Sequence, residues 1–333
     1  MSREIPNSVL PLLKQYTELG LLTISTETVT VRHSPLFTAQ QNRISALLKW
    51  LQEYCYIHNQ TKTIDGSYFF TVLDGFREKT HPSLSGDYVK ITDLDITKYN
   101  NEQFIHPTQL HEPYPIFPYP VISWSRHKGD SSVVLIPDQY YIIQNGYFQL
   151  LLQIKKADRP WTSKQNKVFW RGGKNGSHYS IYDPTCSKTQ RELAMDVSLR
   201  YPAQMDISFT GSVNKPEYLQ YKYLLDVDGH VNAWDGLFWK LGSNSVVFKI
   251  ESHWEEWYYD QLVPWVHYIP VLGDSSDLYE KYLWAEKNET KVLKIIRNAN
   301  ELVHKYRYEY TLLSSKIFNN FKESNTLVKK YYS

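Results

Sequence analysis

Four short apolar runs between residues 221 and 271 constrain the fold of this chain more than any other feature. Each run gives way to a cluster of glycine, carboxylate, lysine or serine; the runs are YKYLLDVDGH, AWDGLFWKLGSNS, SVVFKIESHWEEWYY and LVPWVHYIPV. Continuous β-branched and aromatic runs are typical of buried parallel strands, and ligands bind where such strands end in loops. The segment therefore predicts the floor and rim of a binding cleft.

Tryptophan is concentrated in the same segment, at Trp234, Trp239, Trp254, Trp257 and Trp265. Flat apolar rings beside carboxylates and amides suit the faces of sugars and nucleobases. We therefore expect the ligand of the cleft to present faces of this kind.

The length of 333 residues exceeds the size at which one hydrophobic core stops growing, so two lobes are expected. In the first lobe, residues 38–57 predict a helix, and the runs SYFFTVLDG, VISWS and SSVVLIPD predict strands. In the second lobe, strands are predicted at KVFWRGG, AQMDISFTG, YKYLLDVDG, SVVFKIES and VHYIPV, with helix-sized segments between them. This alternation is typical of βαβ units. Residues 290–318 predict terminal helices with a basic outer face.

Charge and cysteine content exclude several classes of function. The chain has 37 basic and 35 acidic residues, and a net charge of +2 gives no extended field to grip a nucleic-acid backbone. Cys55 and Cys186 stand in no paired motif, which disfavours a disulfide framework or a CxxC metal site. The amino-terminal sequence lacks the apolar core of a secretion signal, and no stretch is long and apolar enough to span a membrane. We therefore expect a cytoplasmic protein.

The run Phe169-Trp170-Arg171-Gly172-Gly173 places a cation and two glycines directly after a predicted strand. Glycine lets backbone N–H groups approach a phosphate, and an arginine can bind two phosphate oxygens at once. This pattern predicts a diphosphate site, which Arg191 on the next helix would share, and an ordinary tight turn with surface arginines is the alternative.

Two acidic motifs follow the later strands. Asp226 and Asp228 would hold a divalent ion, or would cap the turn while Gly229 adopts a positive φ. Glu251, Glu255 and Glu256 are expected in a helix that begins near Ser252, where they would accept hydrogen bonds from sugar hydroxyls or remain solvated.

Two further side chains have a local interpretation. Asp74 ends the strand SYFFTVLD before Gly75, where a carboxylate would act as a general base or cap the turn. His267, within PWVHY, is interpreted as a structural group of the core.

These motifs together resemble glycosyltransferase family 90. The resemblance rests on WRGG, the helix with Arg-Glu-Leu, YKYLLDVDGHVNAWDGLFWKLGSNSVVFK and EEWYYDQLVPWVHYIPV, over residues 165 to 275. The form GLFWK is most similar to bacterial and viral members. Eukaryotic members often have arginine where Leu237 stands, and Lys240 would supply the missing charge.

The resemblance implies a GT-B architecture of two Rossmann-like lobes facing across a cleft, with carboxyl-terminal helices packed across them. The implied divisions are an acceptor-side lobe (1–160), a nucleotide-sugar lobe (161–289) and a helical segment (290–333). Asp74 matches the catalytic base of the family, and Arg171, Gly172 and Arg191 match its donor-phosphate contacts. The predicted donor site comprises Trp170, Arg171, Gly172, Gly173, Arg191, Asp228, Gly229, Trp234, Gly236, Lys240, Ser243, Ser245, Glu255 and Glu256.

The implied reaction transfers glucose or xylose, with inversion, from a UDP-sugar to a hydroxyl of a glycan, lipopolysaccharide or protein. No tightly bound cofactor is expected, and a divalent metal is not required in this interpretation. The alternatives are a metal-dependent GT-A-type transferase that uses Asp226 and Asp228, and a carbohydrate-binding protein without catalysis. Peripheral membrane contact through the basic terminal helix stays open.

Overall fold

The computed structural model describes residues 20–24, 29–33, 42–48, 66–70, 121–128, 133–174, 186–209, 213–229 and 231–308. The chain divides into two compact units. The first comprises Met1–Ile143, Trp254–Trp257 and Thr311–Ser333, and the second comprises Gln144–His253 and Tyr258–Tyr310.

The first unit contains a mixed five-stranded sheet in the order β2-β1-β3-β4-β6. Its strands are β1 (Gly20–Ile24), β2 (Val29–His33), β3 (Gly66–Phe70), β4 (Val121–Ser123) and β6 (Val133–Leu135). β1 is antiparallel to both of its neighbours, whereas β3, β4 and β6 run parallel. The strands predicted at SYFF, VIS and VVL are confirmed.

Short elements complete the described part of this unit. β5 (Ser125–His127) pairs antiparallel with β11 (Trp254–Glu256), and α1 spans Gln139–Ile143. Residues 42–48 are helical, which agrees with the amino-terminal half of the helix predicted at 38–57. The ends of that predicted helix lie outside the described residues.

The second unit is built on a five-stranded, fully parallel sheet in the order β12-β10-β9-β7-β8. Its strands are β7 (Gln165–Arg171), β8 (Met205–Ser208), β9 (Tyr221–Asp226), β10 (Val246–Ile250) and β12 (Ile269–Val271). Its α-helices are α2 (Phe148–Ala157), α3 (Gln190–Arg200), α4 (Lys215–Tyr218), α5 (Gly236–Leu241), α6 (Leu278–Lys287) and α7 (Glu289–Tyr308). The predicted parallel α/β arrangement is confirmed.

The order of the strands determines where a ligand can bind in this unit. From β7 the chain adds β8 on one side, and it then adds β9, β10 and β12 on the other side. The direction of winding therefore reverses between β7 and β9. In open α/β sheets, ligands bind beyond the carboxyl ends of the strands at such a reversal.

Burial on the two faces of the sheet follows the alternation of side chains along each strand. One face carries an apolar core that includes Val168, Trp170, Tyr223 and Phe248, and Ala194 of α3 packs against it. Full burial of one such large side chain contributes about 1.5–3 kcal/mol, so this core dominates the stability of the unit.

The other face of the sheet carries aromatic side chains near β7. The ring of Phe169 stacks on Tyr221 at 4.0 Å between centroids, and Tyr218 packs edge-on against both Phe169 and Trp239. These contacts fix α4 and α5 beside the end of β7, where the candidate site lies.

The terminal helix α7 has the apolar stripe that the sequence predicts. Val292, Ile295, Ile296, Ala299 and Val303 are buried, and the residues after 308 lie outside the described part. Among the described helices, none combines the length and the apolar content needed to cross a bilayer.

Two local predictions are wrong. Residues 254–256 form β11 rather than a helix that begins near Ser252, because Trp254 and Glu256 are buried while Glu255 between them is not, a strand periodicity. The segment PWVHY is a turn before β12 rather than core, and Trp265 and Val266 are exposed. His267 is nevertheless a structural group, since its Nδ1 accepts a hydrogen bond from the Val263 backbone at 3.0 Å.

Candidate functional site

Arg191 connects the loop after β7 with the loop after β9, and the direction of winding reverses between these two strands. The helix α3 begins beside this edge because Thr189 and Glu192 form a capping box, which places Arg191 in its first turn. The guanidinium group donates to the Asp228 carbonyl at 2.8 Å and to the Gly173 carbonyl at 2.9 Å. It also lies over the ring of Trp170, 5.1 Å from the centroid. A cation is thus fixed beyond the carboxyl ends of β7 and β9.

Two glycines make room for this arrangement. A Cβ atom on Gly172 would lie 2.4 Å from Cζ2 of the buried Trp170 ring, so only glycine fits against that indole. A Cβ atom on Gly229 would lie 3.2 Å from Nη2 of Arg191. Gly229 is absent from the described residues with positive φ, so close approach to Arg191, rather than a left-handed turn, distinguishes this position.

A buried ion cluster lies at the end of β9. The Asp226 carboxylate accepts a hydrogen bond from Lys240 Nζ at 2.9 Å and pairs with Lys249 Nζ at 3.5 Å. Lys249 is opposite Asp226 in the register of β9 and β10, and Lys240 comes from the last turn of α5. All three side chains are buried. The strand register and the short helix α5 therefore bring two ammonium groups to one carboxylate.

The pKa values of the two carboxyl groups at this edge shift in opposite directions. Burial by itself would raise the pKa of the Asp226 carboxyl, but Lys240 and Lys249 outweigh it and hold that pKa below its ordinary value. Burial raises the pKa of the Asp228 carboxyl, and Lys249 and a hydrogen bond from Ser252 offset only part of the effect. Asp226 therefore remains charged, while Asp228 is easier to protonate.

The groups around Asp226 and Asp228 carry an excess of positive charge. Arg191, Lys240 and Lys249 contribute three cations, and Asp226 and Asp228 contribute at most two negative charges. In a partly desolvated environment such an excess attracts an anion more strongly than it would in water. The arrangement is therefore suited to phosphate oxygens beyond β7 and β9.

Arg171 takes a different position from the one that the resemblance implies. Its guanidinium group pairs with the Asp206 carboxylate at 2.6 Å and lies over the Phe169 ring at 4.5 Å. Because side chains alternate along a strand, Arg171 lies on the Phe169 face of β7, opposite the Trp170 face that carries Arg191. Tyr218 binds both the N–H and the carbonyl group of Arg171. Arg171 thus ties β7 to β8.

Ser243 and Ser245 lie at the amino ends of the strands, whereas Arg191 lies beyond the carboxyl ends. Ser243 Oγ donates to the Lys240 carbonyl at 2.7 Å, and Ser245 Oγ donates to the carbonyl of Tyr221, the first residue of β9. Both serines therefore close the turn that leads into β10, and the structure does not bring them to the candidate site.

Glu255 and Glu256 belong to the first unit, whereas the other predicted donor residues belong to the second unit. Glu255 pairs with Arg126 at 3.1 Å across the two-stranded sheet, and Glu256 is buried. Glu251 directly follows β10 and is exposed. The three carboxylates therefore do not share one helix face.

The loop between β9 and α5 carries the remaining predicted residues. Trp234 has a φ of 104°, a backbone conformation that costs energy for a bulky side chain and that recurs at functional sites. Gly236 begins α5, and a Cβ atom placed there would meet nothing within 4 Å. Leu237 is buried in the helix, while Lys240, one turn later, lies at Asp226.

The predicted base, Asp74, lies outside the described residues. The structure describes the strand before it only as far as Phe70. Its role as general base stays a prediction from the sequence.

Sequence analysis missed Lys249 and Ser252. Lys249 is a single lysine within the apolar strand VVFKI, all of whose residues are buried, and a buried lysine requires a partner. That pattern was available in the sequence as a signal. Ser252 carried no such signal because its partner Asp228 belongs to another strand end.

A metal site of protein ligands is not evident in the described ranges, where no group of three or more His, Cys, Asp or Glu side chains converges. At Asp226, a divalent cation would also have to approach two buried ammonium groups. The residues present at this edge thus fit an anion better than a divalent cation.

The order of the sheet and the chemistry of its edge define an α/β protein with a parallel sheet and a candidate anion site where the winding of the strands reverses. Comparison with known families agrees with this class. The model of Glycosyl transferase family 90 matches residues 68–315, which is most of the chain. The chain belongs to glycosyl transferase family 90, and the resemblance drawn from its motifs is confirmed.

Curated relatives come from a virus and from vertebrates. Uncharacterized protein 035R of Invertebrate iridescent virus 3 is 28% identical over 199 residues, which are 53% of this chain and 17% of that protein. Protein O-glucosyltransferase 2 of Danio rerio is 32% identical over 191 residues, 54% of this chain and 37% of the relative. Protein O-glucosyltransferase 3 of Homo sapiens is 29% identical over 223 residues, which are 59% of this chain and 41% of that relative. The chain thus spans less than half the length of these relatives.

The buried ion cluster yields a prediction about stability. Replacing Lys240 by methionine (Lys240→Met) removes the closer of the two cations that pair with buried Asp226, while Lys249 remains, and loss of a hydrogen bond to a charged group costs about 1.5–3 kcal/mol. The free energy of unfolding, measured in urea, should fall by that amount.

Lys281→Met is the matched control, because Lys281 forms a partly exposed i,i+4 pair with Asp277 at 3.3 Å. Loss of such a pair should cost about 0.5 kcal/mol or less. Equal, small losses in the two variants would show that the cluster at Asp226 contributes little.

Proposed function

We propose that this chain is an inverting glycosyltransferase with a GT-B architecture that transfers a sugar from a UDP-sugar to a hydroxyl group. Membership of family 90 supports sugar transfer from a nucleotide donor. In this proposal the nucleotide-sugar lobe is residues 161–289 and the acceptor-side lobe is residues 1–160. The helical segment 290–333 completes the chain.

The position of Arg191 carries the proposal. Its guanidinium group bridges the carbonyl groups of Gly173 and Asp228 at the reversal of the parallel sheet, where nucleotides bind in doubly wound folds. Lys240 and Lys249 add positive charge from the other face of the sheet. Groups from both faces therefore meet at the edge where a diphosphate would lie.

The chemical step follows from these charges. Asp74 takes the proton of the acceptor hydroxyl as its oxygen attacks the anomeric carbon. The bond between that carbon and the diphosphate oxygen breaks, and UDP departs with the electron pair. Negative charge grows on the departing diphosphate in the transition state, so fixed cations lower the barrier. Arg191, Lys240 and Lys249 supply this stabilisation, while Arg171 keeps the end of β7 in place.

Glucose is the sugar that we propose first, with xylose as the second candidate. The names of the relatives Protein O-glucosyltransferase 2 and Protein O-glucosyltransferase 3 support glucose and a protein acceptor. A glycan or lipopolysaccharide acceptor remains a second possibility, and a panel of acceptors distinguishes them.

The metal-dependent alternative is less well supported by the geometry. It requires Asp226 and Asp228 to bind a divalent ion, yet Asp226 is already paired with two lysines. Burial also raises the pKa of Asp228, which weakens it as a metal ligand. We therefore propose that transfer proceeds without a divalent ion.

Arg191→Gln tests the diphosphate contact. A hydrogen bond to a charged group contributes about 1.5–3 kcal/mol, so UDP should bind about tenfold to a hundredfold more weakly, as measured by calorimetric titration. Arg200→Gln is the control, since Arg200 is an exposed arginine in the last turn of the same helix. If both variants bind UDP like the original chain, Arg191 is not a donor contact.

Asp74→Asn tests the base. Transfer to the acceptor should fall by about a hundredfold to ten-thousandfold, while the affinity for UDP stays unchanged, because the amide cannot take the proton. UDP release from UDP-glucose with glycan, lipopolysaccharide and peptide acceptors measures transfer. Asp65→Asn is the control, because Asp65 is also an aspartate followed by glycine in the same lobe. Full transfer by Asp74→Asn would remove the assignment.

A further inference from the structure

The strand β7 keeps one neighbour to its last residue and loses the other neighbour before that. Its pairing with β8 continues to Arg171 and Ser208, whereas its pairing with β9 stops at Phe169 and Leu224. The strand β9 itself continues to Asp226, beyond the point where this pairing stops. The two strands therefore part at their carboxyl ends, where the direction of winding reverses.

The hydroxyl group of Tyr218 takes the place that β9 leaves. Backbone groups of successive strand residues point to alternate sides. The N–H group of Val168 donates to the Gln204 carbonyl on the β8 side at 2.9 Å, so the backbone groups of Arg171, three residues later, point to the β9 side. There the Tyr218 hydroxyl accepts from the Arg171 N–H group at 3.0 Å and donates to the Arg171 carbonyl. One hydroxyl group thus satisfies both backbone groups that a strand would otherwise pair.

Packing and burial fix this hydroxyl group. The ring of Tyr218 packs edge-on against Phe169 of β7 at 4.9 Å and against Trp239 of α5 at 5.5 Å between centroids. Burial raises the pKa of Tyr218, and the hydrogen bond with the Arg171 backbone offsets only part of this effect. The hydroxyl group therefore keeps its proton at neutral pH, and it can donate and accept at the same time.

Arg191 joins the same two strand ends from the other face of the sheet. Its guanidinium group lies on the Trp170 face and donates to the carbonyl groups of Gly173 and Asp228, in the loops after β7 and β9. Tyr218 approaches from the opposite face and binds the last residue of β7. The separation of the two strand ends is therefore set by one side chain on each face.

We propose that Tyr218 is a positioning residue for the diphosphate of the donor. Its hydroxyl group replaces β9 as the partner of the end of β7, so that a crevice stays open between the two strands for the phosphate groups of a nucleoside diphosphate. This inference rests on the proposed function and deepens it. The glycines that follow Arg171 can direct their N–H groups toward a phosphate only where β9 does not pair with them. Tyr218 thus provides space where Arg191 provides charge.

Hydrogen exchange tests the contact without any ligand. Tyr218→Phe removes the hydroxyl group and keeps the ring that packs against Phe169 and Trp239. In NMR measurements on the full chain, the Arg171 N–H group should exchange about tenfold faster or more, because it loses its acceptor. The N–H group of Val168, bonded on the β8 side, should exchange as before. Unchanged exchange at Arg171 would overturn the proposal.

Calorimetric titration tests the effect on the site. UDP should bind Tyr218→Phe about tenfold more weakly than it binds the original chain, since the loop after β7 loses its anchor. Uridine, which carries no phosphate, should bind both chains equally. Tyr282→Phe is the matched control, because the hydroxyl group of this buried tyrosine donates to the Asn166 carbonyl near the start of β7 at 3.1 Å. It should lower the thermal midpoint about as much as Tyr218→Phe and leave the affinity for UDP unchanged.

The outcomes distinguish this inference from the proposed function. If the original chain binds UDP and Tyr218→Phe binds it equally well, the positioning role is wrong and the proposed function stands. An equal loss of UDP affinity in Tyr282→Phe, or an equal loss of affinity for UDP and uridine in Tyr218→Phe, would show a general structural effect and would also overturn the role. If the original chain does not bind UDP, the proposed function fails and the positioning role fails with it.

Discussion

The pairing of Asp226 with Lys240 and Lys249 is the interaction on which the site depends. Burying one carboxylate and two ammonium groups is costly, and the cost is offset only when the charges face each other at hydrogen-bond distance. The pairing requires the parallel register of β9 and β10 and the short helix α5 between them. It leaves one net positive charge beside the loops that Arg191 holds together, so the same contacts that lock the edge also make it attractive to an anion.

Cationic side chains from both faces of the sheet lie close to the carboxyl ends of β7 and β9 because of the strand order. The helix α3, on the Trp170 face, supplies Arg191, whereas α5 and β10 supply the lysines on the Phe169 face. Only where the winding reverses, between β7 and β9, do the connections leave toward opposite faces and open a crevice at the strand ends. Gly172 completes the geometry, since a Cβ atom at that position would clash with the ring of Trp170, and Gly229 leaves room for the close approach of Arg191.

The sequence predicted the strands and the parallel sheet of the second unit, because apolar runs bounded by glycine and carboxylate are local signals. It also assigned Arg191, Asp228 and Lys240 to one donor site and Asp226 with Asp228 to a metal pair, and the structure groups these side chains at the ends of β7 and β9. The sequence did not predict the position of a side chain where that position depends on a partner distant in the chain. Arg171 is taken up by Asp206, Ser243 and Ser245 close a turn at the far edge, and Glu255 pairs with Arg126 in a strand. None of these partners is adjacent in sequence, so no local pattern reveals them.

The most direct measurement is a calorimetric comparison of UDP and uridine monophosphate binding in the presence of a chelator. If the positive excess beyond β7 and β9 binds a diphosphate without a metal, UDP should bind about tenfold or more tightly than the monophosphate, since one additional charge-assisted contact contributes about 1.5–3 kcal/mol. Equal affinities for the two nucleotides, or UDP binding that appears only when a divalent ion is restored, would contradict this account.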